Sequence, residues 1–429
     1  MSKVLTRIEG EAEVLIIEEN NVVSRVVYNV TEAPRFFEYL IKGMELNTVA
    51  DIVSRICGLC GVSYSLVAAK AFERCLEVDV SEEVELFREA LHLVERIKSH
   101  IIHVFFLNLP DLVYTGTSID FTRRNPRLAK AASHLILWSR KAMEMFGGRF
   151  HNVVNIRIGG VYKMPSREDV EKLRRSINEA MEMFKLFADF VLSLKNIPEE
   201  PQQLSLASLY TENSYPHIGS KIRLEDEIYD IGEFYGKIVE VIQKPYSNAL
   251  HYRLRSGESY IVGPISRFNN FYSRLTSETR EFIESYGWKA PLKNIQQSIV
   301  ARIAETLEAL HVIKNLMENY KYVEPSLEKP QVNQCESLCE AAIEAPRGIL
   351  YHRYEIDQQG RVVHSNIITP TAQNLAAMED MATSLLKGHK ISEKIVDIAK
   401  RIPIAFDPCI SCSVHSIPIK IVKEPISSF

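Results

Sequence analysis

The chain carries only 7 cysteines in 429 residues. The count is odd and small for this length, so no disulfide framework is expected and the thiols should be reduced. Charge of one sign is missing too. Lys and Arg total 51 against 55 Asp and Glu, a net charge of −4 with no basic block, which argues against a dedicated nucleic-acid surface. No stretch approaches the roughly 18 uncharged apolar residues a spanning helix needs, and the most tempting run, residues 187–194, is broken by Asp189. The first residues, Met1 to Arg7, show neither an apolar signal core nor a twin arginine. A cytoplasmic location follows as the expectation. There is no internal repeat and no low-complexity linker. What is present is 46% hydrophobic and 25% charged, enough for a globular core spread over two or three domains or one large interwoven one.

Four of the cysteines form two pairs at opposite ends of the chain: Cys57-Gly-Leu-Cys60 and Cys409-Ile-Ser-Cys412. Thiolates select soft metals such as zinc, iron, nickel or copper over magnesium or calcium. If the pairs meet, the fold must bring its two ends together, and a cut into independent domains would separate them. One composite domain over residues 1–415 is therefore expected. The competing reading is a closed four-thiolate zinc site that only stabilises the fold. Against it stand the distance between the pairs and the charged neighbours Arg55, Asp407 and His415. Such groups tune a potential or move protons. Cys75 reads as a small buried hydrophobe. Cys335 and Cys339 would share a face on a helix, with no further ligand nearby in sequence.

The periodicity predicts a mainly α protein with small β hairpins, an interwoven helical bundle. Residues 12–17 and 22–28 are rich in β-branched side chains around a turn at Glu18-Glu-Asn-Asn21, and residues 350–356 and 362–368 form a second hairpin. A long helix is expected from Ser81 to about Leu109, with Leu86, Ala90, Leu93, Val94, Ile97 and Ile101 on one face and Pro110 as its stop. Others are expected over 127–146, 166–194 and 294–320, with shorter ones over 373–387 and 392–401. Residues 197–273 look irregular, either an insertion over the core or a partner surface.

The contexts Arg55-Ile-Cys-Gly-Leu-Cys60 and Asp407-Pro-Cys-Ile-Ser-Cys-Ser-Val-His415 resemble the paired signature of the nickel–iron hydrogenase large subunit. Thr6-Arg-Ile-Glu-Gly10, Thr31-Glu-Ala-Pro-Arg-Phe-Phe-Glu38, Ser99-His-Ile-Ile-His103 with Leu109-Pro-Asp111, Glu344-Ala-Pro-Arg-Gly348 and Ile368-Thr-Pro-Thr371 follow in that family's order. The resemblance spans essentially the whole chain, and its length looks most like the soluble, cofactor-coupled group.

The resemblance implies an oxidoreductase that splits or forms dihydrogen. Cys57, Cys60, Cys409 and Cys412 would bind nickel, with Cys60 and Cys412 also bridging to an iron that carries carbon monoxide and cyanide. Arg347 would stand over the open side of the metals and, with Thr371 and Pro370, receive the diatomic ligands. Asp111 and Asp407 would orient Arg347. Glu9 would relay protons beside Cys412, and Glu38, the Leu375 carbonyl and His415 would hold magnesium. The partners implied are an iron–sulfur small subunit with further electron-transfer subunits, because this chain has too few spare cysteines for clusters. Nickel-insertion proteins and a protease are implied as well, the protease removing residues 416–429 after His415. The terminal acceptor lies elsewhere in the complex and stays open among a nicotinamide, a deazaflavin, polysulfide and a disulfide reductase.

Two positions depart from the family pattern. Glu11 and Tyr64 stand where histidines are usual. Tyrosine donates a hydrogen bond but does not shuttle protons near neutral pH as imidazole does. A complex I-like scaffold subunit without the metals is the alternative from another functional class, and retention of all four cysteines argues against it.

Overall fold

The computed structural model describes residues 2–113, 117–327 and 337–414; Cys335, His415 and the 416–429 extension lie outside them. The N-terminal hairpin forms as its β-branched strands require. β1 (Ala12–Glu19) and β2 (Val22–Val30) pair antiparallel, and Asn20 and Asn21 take φ of 54° and 62° in the two-residue turn. Alternation along β1 turns Val14 and Ile16 into the core. A short strand, Ser2–Val4, joins the free edge of β1, so the intervening loop hangs off the sheet and carries Glu9.

The helical body follows the predicted periodicity. α1 (Gly61–Cys75), α2 (Glu82–Ile102), α3 (Pro126–Gly147) and α4 (Arg167–Leu192) are followed by α5 (Ser298–Glu318). α2 packs against α3 and α5, and α4 closes the bundle against α3 and α5. The predicted apolar face of α2 is buried at Ala90, Leu93, Val94, Ile97 and Ile101 and differs only at its start. Phe87 is buried, whereas Leu86 is exposed. At its end α2 loosens into a π-helical stretch, His103–Asn108, before the short helix Leu109–Leu112. α5 is buried on every side from Ser298 to Leu310, and that stretch includes Arg302, Glu305 and Glu308. A helix buried all round is central to its fold, and its charges must be paired.

The second hairpin is larger than expected. β3 (Ser337–Ala345), β4 (Gly348–Ile356) and β5 (Val362–Ile368) make one antiparallel sheet in the order β5-β4-β3, with Ile218–Gly219 on its far edge. The Glu- and Ala-rich β3 carries helix-forming residues, but ladders on both sides and α1 packed against it override that propensity. The strand also corrects the expectation of reduced thiols outside the pairs. It carries Cys339 to the end of α1, where it is disulfide-bonded to Cys75, 264 residues away in sequence. Residues 197–273 are more regular than predicted. The strands Ala207–Leu209, Lys221–Leu224, Glu227–Asp230, Val239–Gln243 and Leu250–Leu254 build two small sheets. Their side chains share a separate core with Ile349 and Tyr351 of β4.

Two last helices position the C-terminal cysteines. α6 (Pro370–Leu386) begins with the Thr369 side chain accepting from the Ala372 amide, and α7 (Glu393–Phe406) runs through Pro403, past its predicted end. Among the described residues no helix is long and apolar enough to cross a membrane.

Glu379, one turn beyond Leu375 on α6, is buried and accepts from the Tyr28 amide at 3.0 Å and the Tyr246 hydroxyl. Burial pushes its carboxyl up to about 7 from an ordinary 4.5. The folded chain thus holds this proton where the unfolded chain has shed it, so stability falls as pH rises from about 4.5 to 7. Glu379→Gln is expected to remove about 3 kcal/mol of that fall. Thermal unfolding between pH 5 and 8 checks it, and a variant whose profile runs parallel to wild type contradicts the assignment.

Candidate metal centre

The two cysteine pairs meet. Cys57 follows the tight turn Ser54–Ile56 in extended conformation, and Cys60 immediately precedes α1. On the other side Asp407 ends α7 in the left-handed region at φ 59°, and Pro408 forbids helical continuation. Cys409 is therefore extended, and Cys412 lies in the short helix Ile410–Ser413. All four sulfurs are buried and lie within 4.8 Å of one another, with Cys57 Sγ 3.5 Å from Cys409 Sγ.

Backbone contacts lock this junction. The Glu9 carbonyl accepts from the Ile410 amide at 2.9 Å, and its carboxylate accepts from the Ser411 amide at 3.2 Å. Gly10 is required here. Its φ is +87°, and a Cβ would lie 2.7 Å from Ile410 Cβ. Arg35 ties both pairs together, its amide donating to the Val414 carbonyl at 2.9 Å and its guanidinium to the carbonyl of Ile56, just before Cys57. The sequence presented Arg35 only as part of a motif.

Four thiols in so small a space titrate as a set. Burial alone would raise Cys57, but sulfur contacts from Cys409, Cys412 and Cys60 and the Arg347 charge outweigh it, so this thiol falls well below its ordinary value. Burial raises Cys409 and Cys412. Arg347 is itself buried. It donates to the Asp407 carbonyl at 2.8 Å, to Asp407 Oδ1 at 3.0 Å and to Ser99 Oγ at 3.3 Å. Burial disfavours its charge, but Asp407 more than restores it. One residue that sequence reasoning missed is Glu95 of α2. Its carboxylate accepts from the amides of Val62 and Ser63 at 2.7 and 3.1 Å, capping α1 directly after Cys60. No local pattern marks this contact, because cap and helix are 33 residues apart.

The other predicted residues divide. Thr371 lies in the first turn of α6 after Pro370; its hydroxyl accepts from the Cys409 amide at 2.9 Å, which leaves the O–H proton free to donate. Glu38 takes the Ile367 amide on its carboxylate, and Leu375 is buried on α6. Asp111 departs from expectation. Arg7, rather than Arg347, binds it at 2.6 Å, because the short helix Leu109–Leu112 faces the loop that carries Arg7 and Glu9. Tyr64 is fully buried, its hydroxyl without a partner among the described residues and its ring 5.5 Å from that of His352. Glu11 is exposed, its amide donating to Glu32.

Four buried sulfurs beside a fixed positive charge suit a soft metal and not a hard one. Residues 35–141 and 243–415, more than half of the chain, match the family model described as nickel-dependent hydrogenase.

The chain belongs to this family.

The hydrogenase is 30% identical over 417 residues to the alpha chain of sulfhydrogenase 2 from Pyrococcus furiosus, covering 96% of this chain and 98% of that one. It is 25% identical over 471 residues to the beta chain of the NAD-reducing hydrogenase HoxS from Cupriavidus necator, covering 96% and 94%. In fold it is similar to an NAD+-reducing [NiFe]-hydrogenase in the H2-reduced state. That match has a TM-score of 0.86 at 23% identity over 97% of this chain and 99% of that one. The hydrogenase is thus an oxidoreductase and the catalytic, large-subunit type of chain. Relatives of this kind are named as subunits of larger enzymes.

Proposed function

We propose that this chain binds nickel through Cys57, Cys60, Cys409 and Cys412, shares Cys60 and Cys412 with an iron carrying carbon monoxide and cyanide, and works on dihydrogen reversibly in the cytoplasm. The observation that carries the reading is the set of four buried sulfurs within 4.8 Å, drawn from both ends of the chain. When bound, this pair of metals supplies the site at which dihydrogen is split heterolytically.

The chain's own residues do the rest. Cys57, already inclined to lose its proton, offers a thiolate at little cost. Arg347, gripped at three atoms, holds a rigid guanidinium beside the sulfurs and would donate to a cyanide ligand of the iron. Thr371 would donate its hydroxyl proton to the same ligand set, and Pro370 would wall it with apolar surface. Glu9 takes the proton that leaves by way of Cys412, since its carboxylate already bonds the neighbouring Ser411 amide. Arg7 and Asp111 form an ion pair two residues from Glu9 and keep that loop in place. Asp407 orients Arg347.

Further along, Glu38, the Leu375 carbonyl and His415 hold magnesium, a cation that tolerates one carboxylate and several waters. The electrons pass to an iron–sulfur small subunit, then onward through further subunits. The chain is made as a precursor, and a protease removes 416–429 after nickel insertion. Natively purified complex should reduce a viologen dye under dihydrogen and not under argon; equimolar zinc with no nickel and no such activity would return the site to a structural role.

A further inference from the structure

We propose that Arg267 is the residue that positions Arg347, acting through the backbone that presents it; this rests on the reading of Arg347 given above. Arg267 lies on the helix Pro264–Phe271 and is completely buried. Its guanidinium donates to both oxygens of Glu305 at 2.6 and 2.7 Å and to Glu344 Oε2 at 2.8 Å. Its remaining bonds go to the carbonyls of Ala345 and Pro346, each at 3.0 Å. All five N–H groups of the fork are thus used, two of them on the carbonyls immediately before Arg347. Arg96 takes the third carbonyl in the row, that of Glu344, at 2.8 Å.

The same helix also meets Arg347 at its start. Gly263 takes φ +122°, and a Cβ there would lie 2.7 Å from the Arg347 carbonyl. His100 and the Tyr215 hydroxyl complete the Glu305 carboxylate at 2.7 Å each, fixing the counter-ion that Arg267 needs. A buried network worth this many hydrogen bonds is a stiff mount. It sits directly behind the Arg347 guanidinium, whose charge acts on the cysteine sulfurs.

A lysine keeps the charge but cannot reproduce the planar fork, so Arg267→Lys frees the 345–346 carbonyls and lets Arg347 shift. The chain supplies its own control. Arg88 is equally buried and equally saturated, bonding both oxygens of Glu73 and the carbonyls of Arg157 and Gly160, but it has no contact with the Arg347 loop.

The test compares Arg267→Lys, Arg88→Lys and the milder Glu344→Gln in natively matured complex, reading metal content, infrared cyanide bands, turnover and hydrogen exchange of the 345–350 peptide. Arg267→Lys is expected to keep its metals, shift the cyanide bands, accelerate exchange at 345–350 and lose up to about a hundredfold in turnover. Arg88→Lys is expected to lower thermal stability without moving bands or turnover. Glu344→Gln, with the fork intact but its charge partner weakened, should give a smaller shift of the same sign and serves if Arg267→Lys does not fold. Unmoved bands and unmoved exchange in Arg267→Lys or, failing that, in Glu344→Gln would overturn the proposal. If the wild type itself shows no cyanide bands, the metal reading has failed, and hydrogen exchange alone decides the positioning role.

Discussion

Cys60→Ser is expected to leave a folded chain that holds no nickel and shows no dihydrogen-dependent activity. The sulfur of Cys60 shares a space 4.8 Å across with three others and is buried at the start of α1. Serine fits that volume, and the cap that Glu95 makes to the next two amides is untouched. Stability of the metal-free chain should therefore change little. The donor set changes completely. A hydroxyl is a hard ligand that stays protonated near neutral pH, whereas a thiolate is soft and charged. Loss of a direct ligand should exceed the roughly 10–100-fold affinity cost known for supporting residues. Metal analysis and thermal unfolding on the same sample separate the two effects. Full nickel occupancy in Cys60→Ser would mean that the sulfurs are not the ligands.

Glu9→Gln is expected to do the opposite: metals retained, turnover lost. Glutamine keeps an oxygen for the Ser411 amide, and the Glu9 carbonyl still accepts from Ile410, so the junction between the chain's ends should survive. What disappears is the ability to take up and release a proton. Loss of a positioned general acid–base costs about 10²–10⁴ in rate. Metal content and infrared bands like those of wild type, with turnover reduced in that range, would match the role. Turnover within a factor of about 3 of wild type would remove Glu9 from the proton route, since a general acid–base is worth far more.

Most of this architecture could be read from residue patterns. The Asn20-Asn21 turn, the Gly148 stop of α3 and the Ser166 cap of α4 are local signals, and each forms where its chemistry dictates. The pairing of Cys57–Cys60 with Cys409–Cys412 was legible because soft donors in twos need each other. Other contacts had no local trace. β3 is rich in Glu and Ala, which favour helices, and its burial between β4, Ile218–Gly219 and α1 makes it a strand. The Cys75–Cys339 bond joins residues 264 apart in sequence, and no local pattern announces it. Asp111 was given to Arg347 by its place in a motif, yet the geometry delivers Arg7 to it. Glu95, Arg35 and Arg267 act across tens to hundreds of residues, and no spacing rule announces them.

Tyr64 is the position where this hydrogenase departs most plainly from the pattern it resembles. Its hydroxyl is buried, has no partner among the described residues and is raised above the ordinary phenol value by burial and by the neighbouring thiols, so it stays a donor. A tyrosine can donate a hydrogen bond but does not shuttle protons near neutral pH as an imidazole does.

The most direct test of the account is an infrared spectrum of the natively purified complex in the carbonyl and cyanide stretching region. One carbonyl band and two cyanide bands, with nickel present, are the predicted result. Their absence from protein that has been matured and loaded with metal would contradict it.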